Sequence, residues 1–250
     1  MRRVSAEVLL GVAVVAAFAG CSRKAEEPAA EPAAPAAEVP AGPAITAVSA
    51  RGNEPFWSVD VSDAAIVLTT IDGEVRTGAP VLDTAFEDGA VLYVGSGDKG
   101  EVAVKVADQV CTDNMSGMPH PYRVRVWTGG QELNGCGGEP AALLQGGEWT
   151  VDDLAGKAPV KDSTITLTFG ADGSLSGSSS CNRLVTSYAL TGESLTIKQG
   201  AGTMMACEPP ILEQETAFLG LLAQVNSFSV ADDGALLLRT ADGKAIRARR

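Results

Sequence analysis

Cysteine is the residue type whose spacing says most about the chemistry of this chain. Four of the five cysteines are Cys111, Cys136, Cys181 and Cys207, and the fifth is Cys21. A structural zinc site draws its ligands from close pairs such as Cys-x-x-Cys, and the sequence contains no such pair. The spacing therefore favours disulfide bonds over zinc, provided that the chain reaches an oxidising compartment.

The first twenty residues predict export from the cytosol. Arg2 and Arg3 form a basic start, and Val8–Ala19 is an apolar run rich in alanine and valine. From Val8 to Gly20 there are 13 residues, fewer than the roughly 20 that a membrane-spanning helix needs. This pattern is typical of a secretion signal, so we expect residues 1–20 to be a signal peptide.

Export would place the four C-terminal thiols where leftover cysteine pairs normally oxidise. Four cysteines permit three pairings, and only Cys111–Cys136 with Cys181–Cys207 keeps both bridges local. Each bridge would close a loop of about 26 residues, which in the chain-entropy model stabilises the fold by roughly 3.5 kcal/mol. We predict these two disulfides.

Cys21 stands in a different setting from the other cysteines. Phe18-Ala19-Gly20-Cys21 resembles the lipobox of bacterial lipoproteins, where small residues precede the cysteine that becomes the lipidated N-terminus. The resemblance implies a diacylglyceryl group on the Cys21 sulfur and an acyl chain such as palmitate on its amine, and several chains give stable anchoring. Ser22 is not acidic, which by the same resemblance implies an outer-membrane lipoprotein facing the periplasm.

A polar group of Asp113, Asn114, Ser116 and His120 follows Cys111 and has the residue types of a metal or catalytic site. The same residues are ordinary turn formers, and we expect a turn. His120 is the only histidine, which excludes a multi-histidine metal site and limits any Ser-His-Asp arrangement to this position. We predict no catalytic residue, no metal ligand and no cofactor.

Four residues are the candidates for binding. Phe56 and Trp57 are neighbours on a predicted strand and so face opposite sides; we expect both rings to be covered, and the alternative is that one is exposed to a ligand. Asn182 and Arg183 follow Cys181, which would hold them rigidly. Their alternative role is to hydrogen-bond within a turn.

The elements that must position these residues are mostly strands. Residues 21–47 are the lipidated cysteine and a linker of alanine, proline and glutamate, which predicts an extended tether. From Val48, short apolar runs split by glycine and aspartate predict antiparallel β-structure. The runs form two sets, so we predict a mainly β chain with two small antiparallel domains, at 48–140 and 146–250. The predicted strands are Phe56–Val61, Ala65–Ile71, Val91–Gly95, Val102–Val106, Arg123–Trp127, Trp149–Leu154, Thr164–Gly170, Ser174–Gly177, Ser187–Leu190, Ser194–Ile197, Ser227–Val230, Ala235–Arg239 and Ala245–Ala248.

One helix is expected to interrupt the second set of strands. Pro209-Pro210 suits a helix start, and an apolar face with one polar member recurs at helical spacing after it. This face consists of Ile211, Glu215, Phe218, Leu222 and Val225. We expect it to cover a sheet.

The second half resembles the META domain, also called the HslJ-like family. The matching motifs are Gly147-Glu148-Trp149, Leu154-Ala155-Gly156, Gly177-x-x-x-Cys181-Asn182-Arg183, Tyr188, Thr203-Met204-Met205-Ala206-Cys207, Glu215 and Phe218. The resemblance implies a compact antiparallel β fold with one α-helix in a bacterial envelope protein linked to stress response. It implies no enzymatic activity and no ligand.

The first half resembles an uncharacterised family of exported domains found beside META domains. The similar residues are Gly52-Asn53-Glu54-Pro55-Phe56-Trp57, the segment from Cys111 to Pro119, Tyr122 and Gly135-Cys136. This resemblance implies no function.

Charge excludes one class of partner, because a net charge of −12 repels the phosphate backbone of nucleic acids. We expect a non-enzymatic envelope lipoprotein with a stress-related binding or supporting role, whose partners are the membrane, through the lipid, and a protein or small ligand in the envelope. One alternative is an inhibitor of a host or competitor enzyme, analogous to β-barrel lysozyme inhibitors. The other is an envelope hydrolase using His120 or the pair Asp152 and Asp153, although adjacent carboxylates on a strand point apart.

Overall fold

The computed structural model describes residues 47–83 and 89–250. The predicted signal peptide, Cys21 and nearly all of the predicted linker lie outside the described residues. Within the described ranges, no helix is both long enough and apolar enough to cross a membrane.

The N-terminal half is antiparallel β-structure. Its strands are β1 (Val48–Asn53), β2 (Phe56–Val61), β3 (Ile66–Thr70), β4 (Gly73–Arg76), β5 (Val81–Asp83), β6 (Val91–Gly97), β7 (Gly100–Ala107), β8 (Cys111–Thr112), β9 (Pro119–His120), β10 (Tyr122–Thr128) and β11 (Gln131–Gly137). Among the described residues, nine of them form one sheet in the order β4-β3-β2-β1-β11-β10-β7-β6-β5, and β8 pairs with β9 in a separate hairpin.

Alternation of side chains gives this sheet one apolar face. In β2, Trp57, Val59 and Val61 are buried and the residues between them point outward. The sheet curls, because the backbone N–H of Thr77 donates to Ile66 in β3 and the next N–H, of Gly78, donates to Ser96 in β6. The enclosed core contains nine buried valines, five of them in β7 and β10, a composition that suits paired strands.

The C-terminal half is a second antiparallel sheet with a helix. Its elements are α1 (Ala141–Leu144), β12 (Glu148–Leu154), β13 (Thr164–Phe169), β14 (Ser174–Ser180), β15 (Arg183–Leu190), β16 (Leu195–Ile197), β17 (Ala201–Gly202), α2 (Pro209–Leu222), β18 (Val225–Val230), β19 (Leu236–Thr240) and β20 (Ala245–Arg249). Within residues 141–250 the strands follow the order β16-β15-β14-β13-β12-β20-β19-β18, and β17 pairs with β15 outside this path. Since β16 lies against β18, this sheet also closes on itself. The predicted mainly β fold is confirmed.

Helix α2 packs against β14 and β20 with the predicted face, but it ends earlier than predicted. Phe218 and Leu222 are buried in the second core, Ile211 is half-buried and Glu215 is buried. The prediction that Val225 belongs to the helix is wrong, because Val225 begins β18. A β-branched residue loses rotamer freedom in a helix and packs well in a strand, which favours this outcome.

Candidate functional site

Both predicted disulfides are confirmed. The Cα atoms lie 5.4 Å apart in Cys111–Cys136 and 6.1 Å apart in Cys181–Cys207. The first bond ties the β8–β9 hairpin to β11. The second ties the turn between β14 and β15 to the segment that precedes α2, so each disulfide fixes a polar loop that contains candidate residues.

The polar group around Asp113 forms an ordered turn, as predicted. One carboxylate oxygen of Asp113 accepts hydrogen bonds from the backbone N–H and the hydroxyl of Ser116 at 2.7 and 2.8 Å, and the other accepts from the Asn53 side chain at 2.8 Å. Partial burial opposes ionisation of this group, but the hydrogen bonds outweigh it and lower the pKa of Asp113 to about 2. Nδ1 of His120 lies 2.8 Å from the carbonyl oxygen of Gly138. Over the described ranges, no three or more His, Cys, Asp or Glu side chains are grouped to hold a metal ion.

The carboxylates of Asp152 and Asp153 serve separate interactions. Asp152 accepts from Nη1 of Arg247 at 2.5 Å and from Nε of Arg249 at 2.9 Å. Asp153 accepts from the backbone N–H of Gly156 at 2.7 Å. The two side chains therefore do not form an acid and base couple.

Phe56 and Trp57 take opposite sides of β2, and the expectation that both are covered is wrong for Phe56. Trp57 is 4% exposed and belongs to the first core, whereas Phe56 is 66% exposed. The reason is register: Trp57 pairs with Gly52 on the inner face, while Phe56 pairs with Asn53 at the end of the outer face. An exposed aromatic ring is thus available at the predicted position.

Asn182 and Arg183, the other predicted binding residues, line a groove in the C-terminal half. The groove has a volume of about 630 Å³ and lies between α2 on one side and residues 198–204 on the other. We call it the α2 groove. Its lining residues are Ser179, Asn182, Arg183, Leu184, Lys198, Gln199, Gly200, Ala201, Gly202, Thr203, Met204, Glu215, Leu219, Gly220, Leu222 and Ala223.

A buried carboxylate organises one end of the α2 groove. Glu215 is only 8% exposed; it accepts hydrogen bonds from the backbone N–H of Asn182 at 3.0 Å, from Nδ2 of Asn182 at 2.8 Å and from the hydroxyl of Ser179. The amide oxygen of Asn182 accepts from the Thr203 hydroxyl at 2.8 Å and from the Met205 backbone N–H at 2.7 Å. Asn182 therefore connects α2 to the opposite wall.

The sequence pattern contains one signal for the role of Glu215. It is the polar member of an otherwise apolar helical face, and no role was predicted for it. A buried carboxylate needs hydrogen-bond donors, so its position pointed to polar partners elsewhere. Those partners, Ser179 and Asn182, are more than thirty residues away along the chain and could not be found from local spacing.

Two cations complete the α2 groove. The side chains of Arg183 and Lys198 are exposed and make no ion pair within residues 47–83 and 89–250. Between them the lining is formed by Leu184, Leu219 and the small residues Gly200 to Gly202. The arrangement is a partly apolar trough lined by two exposed cations.

The family model of the META domain matches residues 142–250. This part of the chain is a META domain. The match includes both walls of the α2 groove, the Cys181–Cys207 disulfide and the Glu215–Asn182 contact. It also includes Leu144, which is fully buried in the second core and whose carbonyl accepts a hydrogen bond from the Trp149 indole at 2.8 Å.

Two solved structures are similar to part of this chain. One is an NMR structure of a protein from Burkholderia xenovorans, with 29% identity, a TM-score of 0.38, and coverage of 45% of this chain and 88% of that chain. The other is an NMR structure with 24% identity, a TM-score of 0.36, and coverage of 43% of this chain and 92% of that chain. No curated protein matches the chain.

Proposed function

We propose that this protein is an exported lipoprotein, anchored in the outer membrane through Cys21, whose META domain binds a ligand of the cell envelope in the α2 groove without catalysing a reaction. The META domain suggests a stress-related or envelope-associated role. The short apolar leader, the lipobox-like residues and two disulfides support an extracytoplasmic location.

The α2 groove is the observation that carries the binding function. Ligand sites are concave, mostly apolar, and supplied with a few fixed polar groups. Here the apolar lining comes from Leu184 and Leu219, and the polar groups of Asn182 are fixed by Glu215 and by a nearby disulfide. Because both walls are tied together, the groove exists before a ligand binds, which reduces the entropy lost on binding.

The contacts of the candidate hydrolase residues favour binding over catalysis. Asp152 is held by two arginines, and the oxygens of Asp113 are hydrogen-bonded by its own turn and by Asn53. A catalytic carboxylate must be free to exchange a proton with substrate. These carboxylates instead stabilise the fold.

The anchor is tested by labelling cells with an alkyne analogue of palmitate and comparing the full chain with Cys21→Ala. We expect label and membrane retention only when Cys21 is present, because acyl chains require its sulfur and its amine. Mass spectrometry of the mature N-terminus provides the second readout. An intact leader in purified material, or equal retention of Cys21→Ala, would refute the anchoring.

The groove is tested by a photo-crosslinking amino acid at Leu219, in the groove wall, and at Lys161, an exposed position outside it. We expect a discrete adduct from Leu219 in intact cells and none from Lys161. An identical pattern from both positions would contradict a binding role for the groove. Arg183→Ala should then reduce the Leu219 adduct if the same ligand is bound.

A further inference from the structure

One wall of the α2 groove is the free edge of a strand, because β17 pairs only with β15 among the strands in residues 47–83 and 89–250. β17 pairs with β15 through Leu184 opposite Gly202 and Val185 opposite Ala201, and the next N–H, of Thr203, donates to Arg183 at 3.3 Å. Hydrogen-bonded and non-hydrogen-bonded pairs alternate in an antiparallel ladder. The pair of Gly202 with Leu184 is therefore non-hydrogen-bonded, and the N–H and C=O of Gly202 point away from β15 towards the free edge.

The opposite wall is helix α2, which presents apolar and small side chains to this edge. Leu219, Gly220, Leu222 and Ala223 line the groove on that side. A trough between a strand edge and a helix is the geometry in which an extended peptide adds as a further strand: its backbone bonds the edge, and alternate side chains enter the trough. Glycines in the strand wall leave the edge accessible to another backbone.

The charge of the groove indicates what such a peptide carries. Arg183 lies opposite Thr203, and the backbone N–H of Lys198 donates to Ser187, four residues from Arg183 along β15, so the two cations are spaced by about 13 Å along this strand. Both are unpaired among the described residues, in a protein of net charge −12. The carboxylate of Glu215 also lines the groove, but it already accepts hydrogen bonds from Ser179 and Asn182. The two unpaired cations therefore complement a short segment with an acidic residue near each end.

We propose that the α2 groove binds an extended acidic peptide segment of a partner protein by strand addition to the free edge of β17. This proposal rests on the proposed binding function and specifies its ligand class. The backbone of the peptide pairs with Gly202, and its alternate side chains contact Leu184 and Leu219. The acidic side chains near its two ends contact Arg183 and Lys198.

The peptide side of the proposal is tested with the full mature chain and a fluorescein-labelled peptide, Asp-Val-Thr-Val-Asp, in which both aspartates lie on one face of the strand and both valines on the other; binding is followed by fluorescence anisotropy. Two further peptides carry N-methyl groups on alternate amides, one on the second and fourth residues and the other on the third and fifth. Only one set of amides faces the strand edge, so we expect one methylated peptide to lose binding and the other to retain it. Equal affinity for both methylated peptides would overturn strand addition.

The protein side is tested with Arg183→Ala and Lys198→Ala, and Lys161→Ala is the matched control at an exposed lysine outside the groove. An exposed ion pair contributes little free energy, so each groove variant should weaken peptide binding by up to about fivefold. The control variant should leave the affinity unchanged. Arg183→Glu/Lys198→Glu should prefer the peptide with lysine at both ends, which reverses the wild-type preference. Binding that is equal for peptides with aspartate, lysine or alanine ends would overturn the charge assignment, and displacement of the peptide by sodium acetate at equal carboxylate concentration would assign the groove to small anions instead.

The peptide measurements and the Leu219 crosslink together separate the class of ligand from the binding function itself. If none of the peptides binds but the Leu219 crosslink in cells persists, the groove binds a ligand of another class and only the peptide proposal fails. If the peptides do not bind and Leu219 gives no adduct, the binding function fails as well.

Discussion

At the scale of single residues, Glu215 is the side chain on which the α2 groove depends. A carboxylate in a protein interior is tolerated when donors replace the water it has lost. Glu215 has three such donors, two from Asn182 and one from Ser179. Since Asn182 also accepts from Thr203 and Met205, the hydrogen bonds of one helix residue reach the strand wall on the far side of the groove.

Replacing Glu215 should therefore affect stability and binding together. Glu215→Ala leaves the buried donors of Ser179 and Asn182 without an acceptor, and we expect a loss of about 2 kcal/mol or more in the free energy of unfolding. Glu215→Gln keeps one acceptor but turns an N–H₂ towards donors, so its loss should be smaller. Urea unfolding at neutral pH measures both values. A Glu215→Ala protein as stable as wild type would contradict this account.

Asp113 should make the free energy of unfolding depend on pH. Its pKa falls from 3.8 to about 2 on folding, because hydrogen bonds from Ser116 and Asn53 to the carboxylate outweigh the effect of burial. The carboxylate therefore contributes stability that is present above about pH 4 and is lost as the pH falls through about 2. Asp113→Ala should be less stable than wild type at pH 6, and the difference should shrink between pH 4 and pH 2. A difference that stays constant over this range would show that ionisation is not involved.

At the scale of elements, turns and alternating strands were predictable from the sequence. Gly129 and Gly130 form the two-residue turn between β10 and β11 with φ angles of 54° and 80°, values that glycine adopts without strain. Strands β7 and β10 were predictable because valines recur at alternate positions in each of them. Local periodicity was sufficient where the buried face of a strand is made of large apolar residues.

Strands β1 and β11 were not predicted, because glycines in both strands make room for the indole of Trp57. The indole of Trp57 occupies the space where side chains at Gly52 in β1 and Gly135 in β11 would lie: an added Cβ would come within 2.2 Å of Nε1 and 2.8 Å of Cζ2, respectively. Both strands are therefore poor in the apolar residues by which strands are recognised. Helix α2 was predicted, but its contact with the opposite wall of the α2 groove was not, because the hydrogen bonds between Glu215 and Asn182 join residues far apart in sequence.

The two disulfides can be compared by removing each of them in turn. Each closes a loop of similar length, with sequence separations of 25 and 26, so replacing either pair by serine should cost about 3.5 kcal/mol in the chain-entropy model. Only Cys181–Cys207 holds a wall of the α2 groove. We expect Cys181→Ser/Cys207→Ser to lose peptide binding and Cys111→Ser/Cys136→Ser to retain it when both are measured under conditions where the proteins remain folded.

The comparison separates a local effect on the groove from general destabilisation. Urea unfolding supplies the stability of each double variant, and fluorescence anisotropy with the acidic peptide supplies its affinity. If both variants lost binding to the same extent, the second disulfide would have no special role in shaping the groove.

At the scale of the whole molecule, the N-terminal half contributes a side chain to the core of the second sheet. Met118 lies in the β8–β9 hairpin of the N-terminal half, yet it is 3% exposed and packs in the core of the second sheet. Strand β9 also lies against β18. The hairpin tied down by Cys111–Cys136 thus supplies a side chain to the META domain.

This arrangement predicts that a substitution in one half destabilises the other. Met118→Ala removes buried volume from the second core, where such truncations cost about 2 kcal/mol or more, and leaves the valine-rich first core intact. Hydrogen exchange read by mass spectrometry should show faster exchange in β19 and little change in β7. Val104→Ala, in the first core, is the control and should give the opposite pattern. Faster exchange in β7 alone for Met118→Ala would mean that Met118 supports its own half, and the two cores would then be separate.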